Sequence, residues 1–201
     1  GAMPLQEPVL SDVRVLDLFS GAGGLSEGLR TASGRFRTVR AVESDPAAAA
    51  TYEANHGAGV IYSGLIQDWL ASETVPSADL VIGGPPCQGF SALGKQDVND
   101  ERNSLWRYYA QTIRGAQPKY FVLENVPAFL ASDQYQKFRN LTRGNGSLRD
   151  YAFQARVMNS AEYGAAQIRK RVILIGHHRD LDFPGFPEVD DRYRSRVNWR
   201  T

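Results

Sequence analysis

The chain has 201 residues, 42% of them hydrophobic and 22% charged. That length suits one ordinary domain, the balance excludes a wholly disordered chain, and no stretch approaches the ~20 apolar residues of a membrane helix. The net charge of +1 hides an asymmetry: residues 1–138 sum to −4 and residues 139–201 to +5, so the basic final third favours a polyanionic partner. Residues 1–11 are set apart as a tail. They lack the basic and apolar regions of a signal peptide, and Gly1-Ala2-Met3 reads as a protease-cleavage remnant ahead of a cloned start. The first predicted strand, Val13 to Phe19, ends at the glycine cluster Gly21-Ala22-Gly23-Gly24, and a helix over Leu25 to Thr31 follows. Thr38 to Glu43 reads as a second strand. Asp45 and Pro46 are the cap and first turn of a helix that runs to Asn55. Val60 to Tyr62 is a short third strand, and Ala78 to Gly83 a fourth that stops at Gly84-Pro85-Pro86. A helix over Ser104 to Gln117, capped by Asn103 or Ser104, leads into a fifth strand, Tyr120 to Leu123, ending at Glu124-Asn125.

Beyond Ser132 the rhythm changes. A helix is predicted over Gln134 to Leu141, then a turn at Arg143 to Gly146. Tyr151 to Met158 and Arg171 to Ile175 are strand-like and should finish the sheet. From Phe183 on, prolines and paired acids read as a linker leaving the domain. The expected organisation is a domain over 12–180 and a linker over 181–201. Strands alternating with helices predict an α/β fold with a doubly wound, mostly parallel sheet.

Ligands of such sheets bind at the carboxyl ends of the strands. Four predicted strand ends carry glycine, acid or thiol. Taken singly, Gly21 to Gly24 could be a tight turn and Glu43 a surface acid; taken together they are hard to explain as packing. The glycine loop is spaced G-x-G-G, which differs from the dinucleotide fingerprint. It still lets the backbone approach a ligand. Glu43 lies 26 residues after Asp17, near the distance at which a nucleotide fold sets its ribose-binding acid. The pair suggests a nucleoside-containing cofactor without separating a nicotinamide from S-adenosylmethionine.

Cys87 is the single cysteine. It excludes an internal disulfide framework and a multi-cysteine zinc site, so no metal is expected. An intracellular, cytoplasmic location is the default. A lone cysteine is most often a small buried hydrophobe. This one follows two prolines at the mouth of a strand, in Gly83-Gly84-Pro85-Pro86-Cys87-Gln88-Gly89-Phe90-Ser91. The prolines stiffen the approach, and the glycines are read as leaving room for a flat substrate. That presents a thiol whose ionised form is a nucleophile.

These residues carry a resemblance. The chain resembles the catalytic domain of DNA (cytosine-5) methyltransferases over about residues 12–178. Asp17 to Gly24 matches the family's cofactor loop, and Pro85-Pro86-Cys87-Gln88 its nucleophile motif, continued by Gly89-Phe90-Ser91. Glu124-Asn125-Val126 matches the acid motif and Gln167 to Val172 the Q-x-R-x-R motif. Asp100 to Leu105 fits a weaker motif between them. The order and spacing agree. The resemblance implies a seven-stranded, Rossmann-like fold of the S-adenosylmethionine-dependent methyltransferase type, with S-adenosylhomocysteine as product.

It also implies roles. Cys87 would add to carbon 6 of cytosine, which makes carbon 5 nucleophilic. Glu124 would hold a proton at ring nitrogen 3, and Arg169 and Arg171 would hold the base or phosphates by charge-assisted bonds. Pro86, Gln88, Ser91 and Asn125 would line the substrate side, with Asn125 supporting the site rather than reacting. On the cofactor side Phe19 would lie against adenine, and Glu43, beside Ser44, would take the ribose hydroxyls. The backbone from Ser20 through Gly21, Ala22, Gly23 and Gly24 would receive the methionine end. Asp17 would order that loop, and Pro85 and Leu105 would cover the cofactor. A stacked base must be flipped out to reach Cys87, and residues 88–103 suit a loop that closes over it.

Two departures stand out. The family has an Asp after Gly in its third-strand motif, contacting the adenine amino group. Here the segment is Gly64-Leu65-Ile66, Leu65 cannot accept that bond, and Asp68 is the candidate substitute. The family also continues into a target-recognition domain and two further motifs, whereas this sequence stops at Thr201. The expectation is the catalytic part of a split or truncated enzyme, with DNA and a second polypeptide as partners and weak activity alone. A related tRNA cytosine methyltransferase group shares the motifs. A non-catalytic cofactor-binding subunit is a further alternative, against which intact Cys87, Glu124 and Arg171 argue. Adenine amino-methyltransferases use other residues around the paired prolines.

Overall fold

The computed structural model describes residues 12–21, 34–85, 105–159 and 169–186. The predicted helix over Leu25 to Thr31 and the loop over 88–103 lie outside them. Seven strands form one sheet: β1 (Val13–Leu18), β2 (Phe36–Glu43), β3 (Ile61–Ser63), β4 (Leu80–Gly83), β5 (Tyr120–Asn125), β6 (Tyr151–Asn159) and β7 (Lys170–His178). Their order across the sheet is β3-β2-β1-β4-β5-β7-β6. Pairings from β3 through β5 are parallel, and β7 runs antiparallel to both β5 and β6. This is the doubly wound, mostly parallel α/β fold that the alternation predicted. The order reverses between β1 and β4, which makes their carboxyl ends the switch point where such sheets bind ligands.

β1 and β4 sit mid-sheet and are covered on both faces. Val15, Leu16 and Leu18 are buried, as is the whole of Leu80–Gly83, which is why apolar residues dominate both strands. Helices α1 (Pro46–His56), α2 (Ile66–Ser72), α3 (Leu105–Ala116) and α4 (Asp133–Leu141) and a 3-10 turn over Pro127–Ala131 complete the described elements. Asp45 caps α1 as expected, accepting from the Ala47 amide at 3.0 Å. α3 buries Trp106, Tyr109, Ala110, Ile113 and Ala116, the 3–4 spacing of one helical face. That face meets the 3-10 turn and α4 in an aromatic cluster. Trp106 stacks on Phe129 at 4.2 Å, and Phe138 meets Trp106 and Phe121 edge-on. Each fully buried side chain of this kind contributes about 1.5–3 kcal/mol.

Several boundaries differ from expectation. β2 begins at Phe36, and β7 runs from Lys170 to His178. Helix α2 carries no start signal, because Leu65 at its cap position makes no side-chain bond; burial of Ile66 and Trp69 holds it in place. The Trp69 indole donates to Glu73, which also takes the Arg40 guanidinium from β2. After β7 the chain stays on the sheet as far as Phe186. The Phe183 ring lies 6.0 Å from His177, and Arg156 sits 4.6 Å over the Phe186 ring. No helix among the described residues is long and apolar enough to cross a membrane.

Candidate active site

β1 ends in a sharp turn. Phe19 takes a left-handed backbone, φ 53°, and Gly21 follows at φ 56°. A positive φ at an aromatic residue is strained and calls for a local reason. Here the turn swings the chain over the end of β2. The Ser20 amide donates to the Val42 carbonyl at 3.1 Å, and the Gly21 amide donates to Glu43 Oε2 at 3.3 Å. Phe19 is half-buried against the main core. Asp17 is 1% exposed at the floor of this turn. Burial, and then the negative charge of Asp17, push the Tyr109 phenol well above its usual pKa, so Tyr109 stays a neutral donor to the Val122 carbonyl at 3.4 Å.

Glu43 is the last residue of β2 and pairs with Ser63 of β3. Its carbonyl accepts from the Gly64 amide at 2.8 Å. Its carboxylate is half-buried, tethered on one oxygen by Gly21. That leaves acceptor capacity facing the strand ends, which fits a diol. Ser44 is exposed beside it, and Asp68 is exposed in the first turn of α2. Leu65 is 47% exposed.

β4 ends at Gly83 and Gly84. A Cβ on Gly83, where φ is 148°, would collide with the Leu18 carbonyl, and a Cβ on Gly84 with the Glu124 carbonyl. These glycines therefore let three strand ends close on one another, rather than leaving room for a substrate. Pro85 is buried, and its carbonyl accepts from Asn125 Nδ2 at 3.4 Å. Asn125 is 6% exposed, and its side-chain oxygen takes the Val126 amide at 2.8 Å. Glu124 and Asn125 belong to β5 itself rather than to the loop after it.

β7 supplies the last group. Because it runs against β5, its first residues reach the edge where the other strands end. Val172 pairs with Asn125 and Ile173 with Glu124. Arg171 Nε then lies 3.6 Å from Glu124 Oε1, with both side chains partly exposed. Arg169 is exposed at the same edge, one residue before β7. Leu105 is half-buried as the first residue of α3.

At the turn after Phe19 the structure thus joins Gly21 to Glu43 and Ser20 to Val42, and elsewhere Pro85 to Asn125 and Glu124 to Arg171. Ala22, Gly23, Gly24, Pro86, Cys87, Gln88 and Ser91 lie outside the described residues. The site holds a carboxylate beside a backbone amide at the β1–β2 end and an acid–guanidinium pair at the β5–β7 end. A nucleoside fits the first, and a polar planar ring fits the second. Sequence reasoning gave no part to Tyr109, and only its helical spacing in α3 signals a buried position.

Comparison with known proteins agrees with this geometry. The family model for C-5 cytosine-specific DNA methylases matches residues 13–197. The type II methyltransferase M.XorII of Xanthomonas oryzae is 37% identical over 88% of this chain and 43% of its own length. M.FnuDI of Fusobacterium nucleatum is 35% identical over 87% of this chain and 49% of its own. The chain spans about half the length of such relatives. Among solved structures, the Dnmt2 methyltransferase of S. pombe superposes with a TM-score of 0.66 at 25% identity, covering 89% of this chain and 54% of that one. The chain belongs to the C-5 cytosine-specific DNA methylase family.

Proposed function

We propose that the chain transfers a methyl group from S-adenosylmethionine to carbon 5 of a flipped-out cytosine in DNA. The observation that carries this is the gathering of Glu43, Glu124 and Arg171 on one sheet edge, with Glu124 and Arg171 paired at 3.6 Å. Glu43 takes the ribose hydroxyls, Phe19 the adenine, and the backbone around Gly21 the methionine end, with Pro85 and Leu105 closing over them. The cofactor supplies an activated methyl group on a sulfonium.

Cys87, as thiolate, forms a bond to carbon 6 of the ring. Electron density passes to carbon 5 and ring nitrogen 3. A proton shared between Glu124 and nitrogen 3 offsets the developing charge, and Arg171 orients that carboxyl. Carbon 5 takes the methyl group and gives up its proton to a base, and the thiolate then leaves carbon 6. Pro86, Gln88, Ser91 and Arg169 face the substrate in this reading, and Asn125 holds Pro85 beneath it. The thiolate requirement also implies a reducing, intracellular location.

Specific protein–DNA interfaces bury on the order of 1,000–2,500 Å² of protein surface. A recognition surface beyond the described residues is part of this reading, carried either by the same polypeptide or by a second one, the arrangement expected above.

The test is adduct trapping. A duplex carrying 5-fluorocytosine, with cofactor present and any missing recognition polypeptide supplied, should yield a denaturation-stable protein–DNA complex. The same assay with tRNA separates the two substrates. Glu124→Gln should slow trapping while leaving cofactor affinity intact, and an adduct that persists in Cys87→Ser would overturn the mechanism.

A further inference from the structure

The charges on the last two strands are one-sided. β6 and β7 carry Arg156, Lys170 and Arg171 and no Asp or Glu. Charges on an edge strand commonly serve to block pairing with other chains, but that use favours neither sign. Arg156 lies in one row with the candidate acid: it pairs with Ile173, which in turn pairs with Glu124. Residues directly opposite one another share a face of the sheet. Arg156 therefore stands on the face of Glu124, two strands and about 10 Å away. Its guanidinium lies over the Phe186 ring at 4.6 Å, a contact that leaves the N–H groups at its rim free to donate. Lys170 is the first residue of β7, next to Arg171 at the strand-end edge and on the opposite face. Both side chains are exposed, and neither is ion-paired among the described residues.

We propose that Arg156 and Lys170 form a phosphate-binding ridge that holds the nucleic-acid backbone flanking the target base. The inference rests on the reading of Glu124 as the acid that meets the base. A protein–DNA footprint of on the order of 1,000 Å² centred on Glu124 extends past both residues. Arg156, its planar fork steadied by the Phe186 ring, supplies a bidentate contact, and Lys170 a point charge. Contacts of this kind fix register and orientation and carry no sequence information. Sequence recognition is thereby left to the surface beyond the described residues.

Duplex binding by the full chain, followed by fluorescence anisotropy across a salt series, provides the test. Each phosphate contact removed should make the fall in affinity between about 50 and 200 mM salt about threefold shallower. Arg156→Gln and Lys170→Gln should each do this, and the double variant should reach about tenfold. Arg156→Lys keeps the charge and should keep the salt dependence. Lys137→Gln removes an exposed cation from α4, away from the ridge, and should leave it unchanged. A double variant with native salt dependence and native melting temperature would overturn the proposal. So would an effect of Lys137→Gln as large as the other two, which would mark net charge rather than a ridge. The catalytic reading fails separately. A chain that shows these salt effects yet traps no 5-fluorocytosine duplex, with any recognition polypeptide supplied, would keep the ridge and sink the methyl-transfer reading.

Discussion

On the proposed function, the two ends of the sheet solve recognition differently. The β3-β2-β1-β4 half belongs to the acidic part of the chain and builds its site from backbone: a left-handed Phe19, a tight Gly21, and strand ends closed through Gly83. One carboxylate, Glu43, completes it. The β5-β7-β6 half lies largely in the basic part and presents side chains instead, with Glu124, Arg169 and Arg171 at the edge. A nucleoside cofactor is a small ligand of fixed shape, which a preorganised backbone fits. A nucleic acid is large and charged, and is met by charge and by groups that can move. The cofactor half should therefore fail by unfolding when altered, and the substrate half by losing activity while folded.

The largest expected effect is at the seam of the first half. Gly83→Ala adds a Cβ against the Leu18 carbonyl at a positive φ. It should cost about 4 kcal/mol or prevent folding, and an unchanged urea midpoint would contradict that packing. Arg171→Ala sharpens the contrast. Its pair with Glu124 is partly exposed and should contribute under about 1 kcal/mol to stability. Methyl transfer should nonetheless fall about a hundredfold, through lost electrostatic support. Thermal melting alongside single-turnover transfer separates the two effects, and a parallel loss of both would erase the distinction.

Asn125 joins the halves. Asn125→Ala leaves the buried Pro85 carbonyl and Val126 amide short of a partner, at a cost of about 1–3 kcal/mol readable by denaturant titration. The smallest effect lies away from the site. The Arg40 guanidinium holds the Glu73 carboxyl below its usual 4.5, against an opposing push from burial that ranks next and with smaller help from the Trp69 indole. A carboxyl depressed in the folded state adds stability above its unfolded value, and this is lost as pH falls through the folded one. Glu73→Gln should cost under about 1 kcal/mol at pH 7, and the deficit should vanish in acid below the folded value. A deficit that persists there would point to packing rather than charge.

Much of this was legible in the sequence because it is locally encoded. Asp45-Pro46 starts a helix wherever it stands free to do so. The 3–4 spacing of Trp106, Tyr109, Ala110 and Ile113 fixes which face of α3 is buried, and apolar runs ending in glycine or acid announce strands whose ends carry a site. Helix α2 was not legible, since Leu65 supplies no start signal and the helix exists because Trp69 found a buried place. The meaning of Gly83-Gly84 was misread for a related reason. A glycine pair before two prolines looks the same whether it makes room for a ligand or for another strand, and the choice depends on where Leu18 and Glu124 come to lie. The sequence by itself thus determined the order of elements, the doubly wound class and the residues at the strand ends, all set by propensity and periodicity within short windows. Only the tertiary structure decided that β7 turns back against β5, because that reversal depends on pairing between distant segments. The reversal is what brings Arg171, 47 residues on in the chain, beside Glu124.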